Sequence, residues 1–414
     1  MSYAPVLAAA FVLWPLMGFL GGQGYSPLLA LAALPALVLA RPKWPPALYA
    51  VLALAFVAWA AASETWSPTS GQFISGSLSE GTFAVKASSL RIVLAALFGT
   101  LAVAGAVRIA DGTAQVPARV MLGAFAMQGL ILAVSLIFLD QILTAVYGDD
   151  PMERVSGIQN LGRNANAFAL ALPLLVAYLG TRPGVVWKGI AGLLVIVSLL
   201  LFGQVDTQAA MFGIAFMLAA MGLVFLLRRQ GFRVLFGALA AYVAFAPLLI
   251  GAGIKFLKTN DIALPGSFQS RAWSWEVVIN KIVEKPLMGH GIAASKTWRE
   301  TYADHPDWLA KLPDFWAAYP VVPGHPHNMA LQIWGETGMV GAALVALALA
   351  LLGFRLPQPE AMRADVRYAV AGLAGVAASL FSFAYNVWNE AFWSTLILAA
   401  VAIILLSKRE RASL

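Results

Sequence analysis

The chain of 414 residues contains no cysteine, and only 11% of its residues are charged. The lack of cysteine excludes disulfide bonds, thiolate nucleophiles and cysteine-ligated metal sites. The charged fraction is far below the roughly 25% of soluble domains. In contrast, 60% of the residues are hydrophobic and the mean hydropathy is +0.79. These values indicate a polytopic membrane protein rather than a series of soluble domains.

Apolar stretches recur along the whole chain, and most are long enough for a membrane-spanning helix, which needs about 20 apolar residues. We predict an all-α, polytopic membrane protein with about 12 transmembrane helices, at residues 4–21, 26–40, 46–63, 88–107, 117–139, 166–181, 184–203, 208–227, 232–253, 328–353, 366–384 and 389–407. Residues 1–253 would hold the first nine helices and residues 254–327 one large, partly helical outer loop. Residues 328–414 would hold the last three helices and a short tail.

The distribution of Lys and Arg predicts the orientation of this bundle. More than half of the 27 basic residues fall in short loops or at helix ends on the side of the N-terminus, whereas the opposite short loops 22–25, 204–207 and 385–388 contain none. Cytoplasmic loops of membrane proteins are enriched in Lys and Arg. We therefore expect cytoplasmic N- and C-termini, with the segments 64–87 and 140–165 on the outer side beside the large loop. Because these anchors account for the pI of 9.6, no nucleic-acid partner is expected.

The large outer loop has a helical pattern of its own. Apolar residues such as Trp273 and Val277 recur at helical spacing after Arg271. Ser267 or Ser270 could cap this helix, and Pro286 would end it. We expect the helix to lie along the membrane surface, with its aromatic face toward lipid headgroups or the bundle. Interfacial aromatic residues predict a second helix within 295–312.

Two histidines stand at the point where the large loop meets the next apolar helix. The stretch GHPHN places His325 and His327 on either side of Pro326. An imidazole can accept a proton near neutral pH, so either histidine is a candidate general base at the edge of the membrane. The residues alone do not choose between them.

A polar stripe follows the histidines into the helix. Asn328, Gln332 and Glu336 are four residues apart, which places them on one face of the helix. Such groups are costly inside a membrane unless they face a cavity or a partner, so the stripe could line a site in the bundle. Alternatively, Asn328 caps the helix and the other two side chains hold neighbouring elements together by hydrogen bonds.

The same region carries a family resemblance. His327 and Asn328, followed by nine residues and then G-x-x-G at Gly338 and Gly341, resemble the motif of the O-antigen ligases within the O-antigen ligase and polymerase superfamily. That family also has about twelve spans, cytoplasmic termini and one large periplasmic loop directly before the motif helix. The resemblance covers most of residues 150–350.

Two further stretches are similar to family patterns. The first, RAWSWEVV, opens at Arg271 and precedes a P-x-x-G-x-G stretch that begins at Pro286. The second, VSGIQNLGRNANAFALAL, follows Arg154 and contains Arg163. Arginine suits a diphosphate because its planar guanidinium binds phosphate oxygens bidentately and stays charged. The resemblance thus implies diphosphate binding by Arg271 together with Arg163 or Arg154, and the choice between the last two stays open.

The resemblance implies a metal-independent, inverting glycosyltransferase of the bacterial inner membrane with a periplasmic active site. The donor would be a glycan on undecaprenyl diphosphate and the acceptor a sugar hydroxyl of lipid A core, as in lipopolysaccharide ligation. His327 would activate that hydroxyl, with Asn328, Gln332 and His325 in supporting roles. No cofactor is expected, and membrane lipid surrounds the enzyme.

Several alternatives compete with this interpretation. An O-antigen polymerase would use the same donor with a second lipid-linked glycan as acceptor. A protein O-oligosaccharyltransferase usually has an added periplasmic C-terminal region, and a transporter or flippase usually has two matching halves, neither of which the sequence shows. A catalytic metal would require a cluster such as Asp304, His305 and Asp307, whose spacing is unspecific.

Overall fold

The computed structural model describes residues 2–22, 24–42, 47–69, 74–75, 84–85, 87–205, 207–301 and 319–409. The helices of these residues are α1 (Ala4–Phe19), α2 (Tyr25–Leu39), α3 (Leu48–Ala62), α4 (Ser88–Val107), α5 (Gln115–Ile137), α6 (Leu139–Tyr147), α7 (Pro151–Gly180), α8 (Val185–Gln204), α9 (Gln208–Leu227), α10 (Gly231–Thr259), α11 (Gly266–Glu284), α12 (Met329–Arg355), α13 (Ala364–Phe383) and α14 (Glu390–Ser407). Two short antiparallel strands, Ile74–Ser75 and Ala84–Val85, accompany them.

The described residues contain eight helical stretches that are long and apolar enough to cross a membrane. One of them, Gln208–Thr259, comprises both α9 and α10, and the shorter apolar helices α1 and α2 pack into the same core. Helices of this kind satisfy every backbone polar group internally, as lipid requires. The predicted all-α, polytopic membrane fold is confirmed, and the predicted number of spans stays a prediction.

Helix α7 begins much earlier than the span predicted for it at 166–181. Asp150 caps the helix, with its Oδ1 accepting from the Met152 amide at 2.8 Å, and Pro151 occupies the first turn. Both residue types favour a helix start. The segment 140–165, read as a separate outer segment from its polar composition, is therefore α6 and the first half of α7.

The large loop contains helix α11, which starts at Gly266, one residue before Ser267, the first of the two predicted capping residues. Its apolar face buries Trp273 and Val277 against Val243 of α10. The sequence left open whether this face contacts lipid headgroups or the bundle, and in the structure it packs against the bundle. The second predicted helix is not α-helical over its described part, because Ala294–Thr297 form a single 3₁₀ turn, and the rest of it lies largely outside the described residues.

Several of the connections between helices lie together at one end of the bundle, which we call the loop face. Ser67, after α3, donates from its hydroxyl to the Ile292 carbonyl at 2.7 Å. Arg91 of α4 and Glu390 of α14 form an ion pair at 3.0 Å. The loop face thus brings together the end of α3, the chain between α11 and α12, and the starts of α4 and α14.

Candidate functional site

Helix α12 is bent at Gly338, where φ is 67° and ψ is −167°. At the bend, backbone N–H and C=O groups of α12 lack partners within the helix. They form hydrogen bonds with the P-x-x-G-x-G stretch between α11 and α12 instead. Three hydrogen bonds join the two segments: His290 N to Gly335 O at 2.9 Å, Gly291 N to Glu336 O at 2.8 Å, and Met339 N to Pro286 O at 2.8 Å. We call this arrangement the clasp (residues 286–291 on the bend at 335–340).

The clasp explains two motif glycines. A Cβ at Gly338 would come within 2.2 Å of the Leu287 carbonyl oxygen, and a Cβ at Gly289 would come within 2.4 Å of the Glu336 carbonyl carbon. Both glycines also have positive φ, which L-residues with a side chain rarely adopt. The two glycine motifs are therefore halves of one backbone contact, which fixes where α12 begins relative to α11.

The histidine loop, residues 324–328, leads directly into α12. Asn328 caps the helix: its Oδ1 accepts from the Leu331 amide at 3.0 Å and its Nδ2 donates to the Tyr242 hydroxyl at 2.8 Å. His327, just before this cap, has a φ of 51°, in the left-handed region. The cap thus behaves as the hydrogen-bonding alternative predicted, and it fixes the backbone of His327.

The His327 ring is held by one of its two nitrogens. Nδ1 lies 3.1 Å from the carbonyl oxygen of Ala384, which follows α13. A carbonyl only accepts hydrogen bonds, so Nδ1 carries the proton and Nε2 keeps a lone pair. No described residue forms a hydrogen bond with Nε2. Burial lowers the pKa of His327, the Ala384 hydrogen bond raises it and the Arg271 charge lowers it further, so the ring is neutral at neutral pH.

His325 is a much weaker candidate for the base. The two rings lie 4.2 Å apart, and the His327 amide donates to Nδ1 of His325 at 3.2 Å. Burial, followed by the electrostatic influence of His327 and Lys296, lowers the pKa of His325 to about 3. A group with that pKa takes up a proton poorly at neutral pH. The geometry therefore favours His327 over His325.

Arg271 lies close to His327 because α11 packs on the histidine loop. Trp275, one turn further along α11 on the same face, donates from its indole N–H to the Pro326 carbonyl at 2.9 Å. Arg271 itself contacts Ser267 O at 3.2 Å, and its charge acts on the pKa of His327. The structure thus brings together two residues that are separated by most of the loop in sequence.

Arg163 lines a cavity of about 480 Å³ at the loop face. Arg91, Lys296 and Glu390 also line it, together with Tyr385 from the segment that begins at Ala384. Burial raises the pKa of Tyr385 to about 12, although Arg163 opposes this rise. The first turns of α2, α4 and α14 also face the cavity, and helix N-termini favour anions. The cavity therefore suits a negatively charged group.

Arg154 occupies a different environment from Arg163, although both belong to α7. Its Nη2 binds Asp140 at 3.0 Å and its Nη1 binds Thr144 at 2.9 Å, so it ties α7 to α6. It is not among the residues that line the cavity. Of the two arginines left open by the sequence, Arg163 is the one placed at the loop-face cavity.

Gln332 and Glu336 are wholly buried and do not line this cavity. Gln332 donates to Glu336 at 3.1 Å and to Asn386 at 3.0 Å. The hydrogen-bonding alternative therefore describes this part of the polar stripe. The prediction that it faces a substrate site is not supported by the packing.

Sequence reasoning did not single out Arg91, Lys296 or Glu390. A signal was present for Arg91: under the predicted orientation it lies at the outer end of α4, where membrane anchoring does not require a basic residue. Lys296 stands in a loop with many charges, and its approach to the cavity depends on the turn at Ala294–Thr297. The acidic cluster at Asp304, His305 and Asp307 lies outside the described residues. Within the described part of the chain, no group of three His, Asp or Glu residues could hold a metal ion.

Comparison with known proteins bears on this site directly. Residues 192–346, which include α9 to α11, the histidine loop and the clasp, match the O-antigen ligase family model.

This part of the chain is therefore similar to the O-antigen ligases.

Proteins of the genus Rickettsia named as candidate polysaccharide ligases are also similar to parts of this chain. The protein from Rickettsia conorii is 31% identical over 30% of this chain and 30% of its own length. The protein from Rickettsia typhi is 26% identical over 53% of this chain and 51% of its own length. The chain thus spans about half or less of the length of the curated relatives it matches. No solved structure matches the chain.

Proposed function

We propose that the protein is a glycosyltransferase that moves O-antigen glycan from undecaprenyl diphosphate to a sugar hydroxyl of lipid A core. The observation that carries the proposal is the His327 ring, whose Nδ1 is fixed by Ala384 while Nε2 keeps its lone pair. The charge of Arg271 acts on the same ring from α11. A base beside a guanidinium is what transfer from a diphosphate to a hydroxyl requires. The match of residues 192–346 to the O-antigen ligase family model supports the same reaction class.

The proposed reaction is a single displacement. Arg271 and Arg163 bind the diphosphate and stabilise the negative charge that grows on it as it leaves. Nε2 of His327 takes the proton of the acceptor hydroxyl, whose oxygen attacks the anomeric carbon on the face opposite the diphosphate. The carbon–oxygen bond to the diphosphate breaks, undecaprenyl diphosphate departs and the anomeric configuration inverts. The residues named here supply the base and the positive charge without a metal ion.

We place this reaction at the periplasmic face of the inner membrane. The distribution of basic residues supports cytoplasmic termini and a loop face on the opposite side of the membrane. Lipid-linked glycan and membrane lipid then meet the enzyme at the membrane boundary, where the histidine loop enters α12. Arg154 has no direct part in this scheme, because Asp140 and Thr144 hold it.

An in vitro transfer assay tests the proposal. Purified protein is incubated with undecaprenyl diphosphate glycan and lipid A core in the presence of EDTA, and wild type is compared with His327→Ala and His325→Ala. We expect wild type to glycosylate the core, and His327→Ala to lose roughly 10²- to 10⁴-fold in rate, the usual contribution of a general base. His325→Ala should retain more activity than His327→Ala. Because the pKa of His327 is lowered, the wild-type rate should fall with acid only below the ordinary histidine pKa of about 6.5.

The assay also separates the principal alternatives. An extended glycan that stays on the carrier would identify an O-antigen polymerase with the same base and a different acceptor. A rate unchanged in His327→Ala would contradict the general-base role. A wild-type rate abolished by EDTA would contradict the metal-independent reaction.

A further inference from the structure

Glu336 is a wholly buried carboxylate two residues before Gly338, where α12 bends. Burial of such a group is costly unless hydrogen bonds replace those lost to water. Its two oxygens accept five: from Ala293 N at 2.6 Å, Ser295 N at 3.2 Å, Ser295 Oγ at 2.5 Å, Gln332 Nε2 at 3.1 Å and Trp388 Nε1. These donors come from three separate segments of the chain. Glu336 therefore connects α12 to two other segments, the one around Ala293 and Ser295 and the one that ends at Trp388.

The first segment joined by Glu336 holds the His327 ring. Trp388 donates to the carboxylate from the end of this segment, residues 384–388. Gln332, which Glu336 also accepts from, accepts from Val387 N at 3.0 Å and donates to Asn386 Oδ1 at 3.0 Å. The segment is thus fixed at three consecutive residues. It begins at Ala384, whose carbonyl oxygen holds Nδ1 of His327.

The second segment joined by Glu336 supports the histidine loop from the opposite side. The Ser295 hydroxyl is within hydrogen-bond distance of both Glu336 and the Gly324 carbonyl, the latter at 2.8 Å. Gly324 immediately precedes His325. The next residue after Ser295 is Lys296, which lines the loop-face cavity. One carboxylate therefore anchors the chain on both flanks of the histidine loop.

We propose that Glu336 is a positioning residue that orients the His327 imidazole, through Trp388 and Gln332 on one flank and Ser295 on the other. The proposal rests on the proposed function, in which His327 is the base. Glu336 does not contact the substrate in this role. It keeps the Ala384 carbonyl where Nδ1 of His327 meets it, so that Nε2 points toward the acceptor.

The Glu336→Gln variant tests this role with nearly the same volume. The new amide group presents an NH₂ to N–H and O–H donors, so it can accept fewer of the five hydrogen bonds. We expect kcat to fall roughly 10- to 100-fold, as for a small displacement of a reacting group. The KM for the donor glycan should change little, because Arg163 and Arg271 are untouched. Hydrogen exchange at the amides of residues 385–389 should become faster.

The pH profile of kcat separates positioning from a loss of stability. The Ala384 hydrogen bond raises the pKa of His327, whereas the Arg271 charge and burial lower it, and His325 is the other titratable group beside the ring. Loosening the 384–388 segment weakens the Ala384 hydrogen bond, which is the influence that raises the pKa of His327. Since the base works in its neutral form, the acid limb of the profile should move to lower pH in Glu336→Gln.

Asp365→Asn is the matched control. Asp365 is another buried carboxylate, in the first turn of α13, and it pairs with Arg363 and Arg409. Its amide variant should lower thermal stability while leaving the acid limb and the exchange of residues 385–389 as in wild type. If Glu336→Gln is too unstable to purify, Trp388→Phe removes one N–H donor while keeping a ring on Phe56, and should show the same changes at smaller size.

Two results would overturn the proposal. One is a Glu336→Gln enzyme whose acid limb and amide exchange match wild type, whatever its kcat. The other is a shift of equal size in Asp365→Asn. If His327→Ala still transfers glycan, the proposed function fails instead, and the exchange measurement alone then decides whether Glu336 holds the 384–388 segment.

Discussion

Arg154 and Arg163 show how the surroundings of a side chain decide its use. Both belong to α7; Arg163 lies within the stretch that resembles a family pattern and Arg154 lies directly before it. Arg154 already binds Asp140 and Thr144, whereas Arg163 donates to Asn160 at 2.9 Å and lines the loop-face cavity. An anion in the cavity therefore has direct access to Arg163 and not to Arg154.

We predict opposite outcomes for the two alanine variants. Arg163→Ala should reduce transfer roughly 10²- to 10³-fold, the size found when one group that stabilises transition-state charge is removed. Arg154→Ala should leave transfer near wild type and reduce stability by at most about 1 kcal/mol, as for an exposed ion pair. Initial rates and thermal unfolding in detergent measure both effects. A large loss of transfer in Arg154→Ala would reassign the diphosphate to that arginine.

At the level of elements, the clasp joins α11 to α12 by hydrogen bonds between backbone groups. The bend at Gly338 leaves α12 hydrogen-bonding groups that an unbent helix would satisfy internally, and residues 286–291 provide the partners. Since Trp275 of α11 holds Pro326 and Asn328 caps α12, the same two helices also set the position of the histidine loop. The backbone contact thus fixes the position of α11, which carries Arg271, relative to the histidine loop, which carries His327.

We predict that Gly338→Ala disrupts this backbone contact. The backbone conformation of Gly338 is essentially restricted to glycine and costs another residue about 1–3 kcal/mol. The Cβ of an alanine would also overlap the Leu287 carbonyl. Thermal unfolding should show a loss larger than that, together with faster hydrogen exchange in residues 286–291 and reduced transfer. Gly123→Ala is the matched control, because this exposed glycine lies inside α5 with nothing within 4 Å of the added carbon. It should be neutral or stabilising by up to roughly 1 kcal/mol. An equal loss of stability in both variants would contradict the proposed role of the clasp.

At the scale of the whole molecule, hydropathy predicted most helices because lipid leaves the backbone few other conformations. It missed the early start of α7, since that part of the helix is polar and is specified by the Asp150 cap rather than by apolar periodicity. The motif residues of the site were found from the resemblance. Lys296 and the donors that surround Glu336 were not found from the sequence. Hydrogen bonds between segments far apart in sequence leave no spacing pattern to detect.

The predicted orientation of the bundle can be measured directly, because the chain contains no cysteine. We expect Lys285→Cys, at the exposed end of α11 on the loop face, to react with an impermeant maleimide in cells whose outer membrane has been opened. Pro183→Cys, between α7 and α8 in an exposed turn, should react only after the inner membrane is permeabilised. The reverse labelling pattern would place the histidine loop in the cytoplasm and contradict a periplasmic reaction.

The backbone of His327 has a consequence for how this protein would respond to selection. A left-handed conformation costs an L-residue about 1–2 kcal/mol, and His327 adopts it next to the Asn328 cap. Strain of this kind is commonly found where a fold sacrifices stability for activity. Glycine adopts this conformation without the penalty. A library at this position that is ranked by thermostability alone would therefore tend to enrich glycine and discard the histidine that we propose as the base.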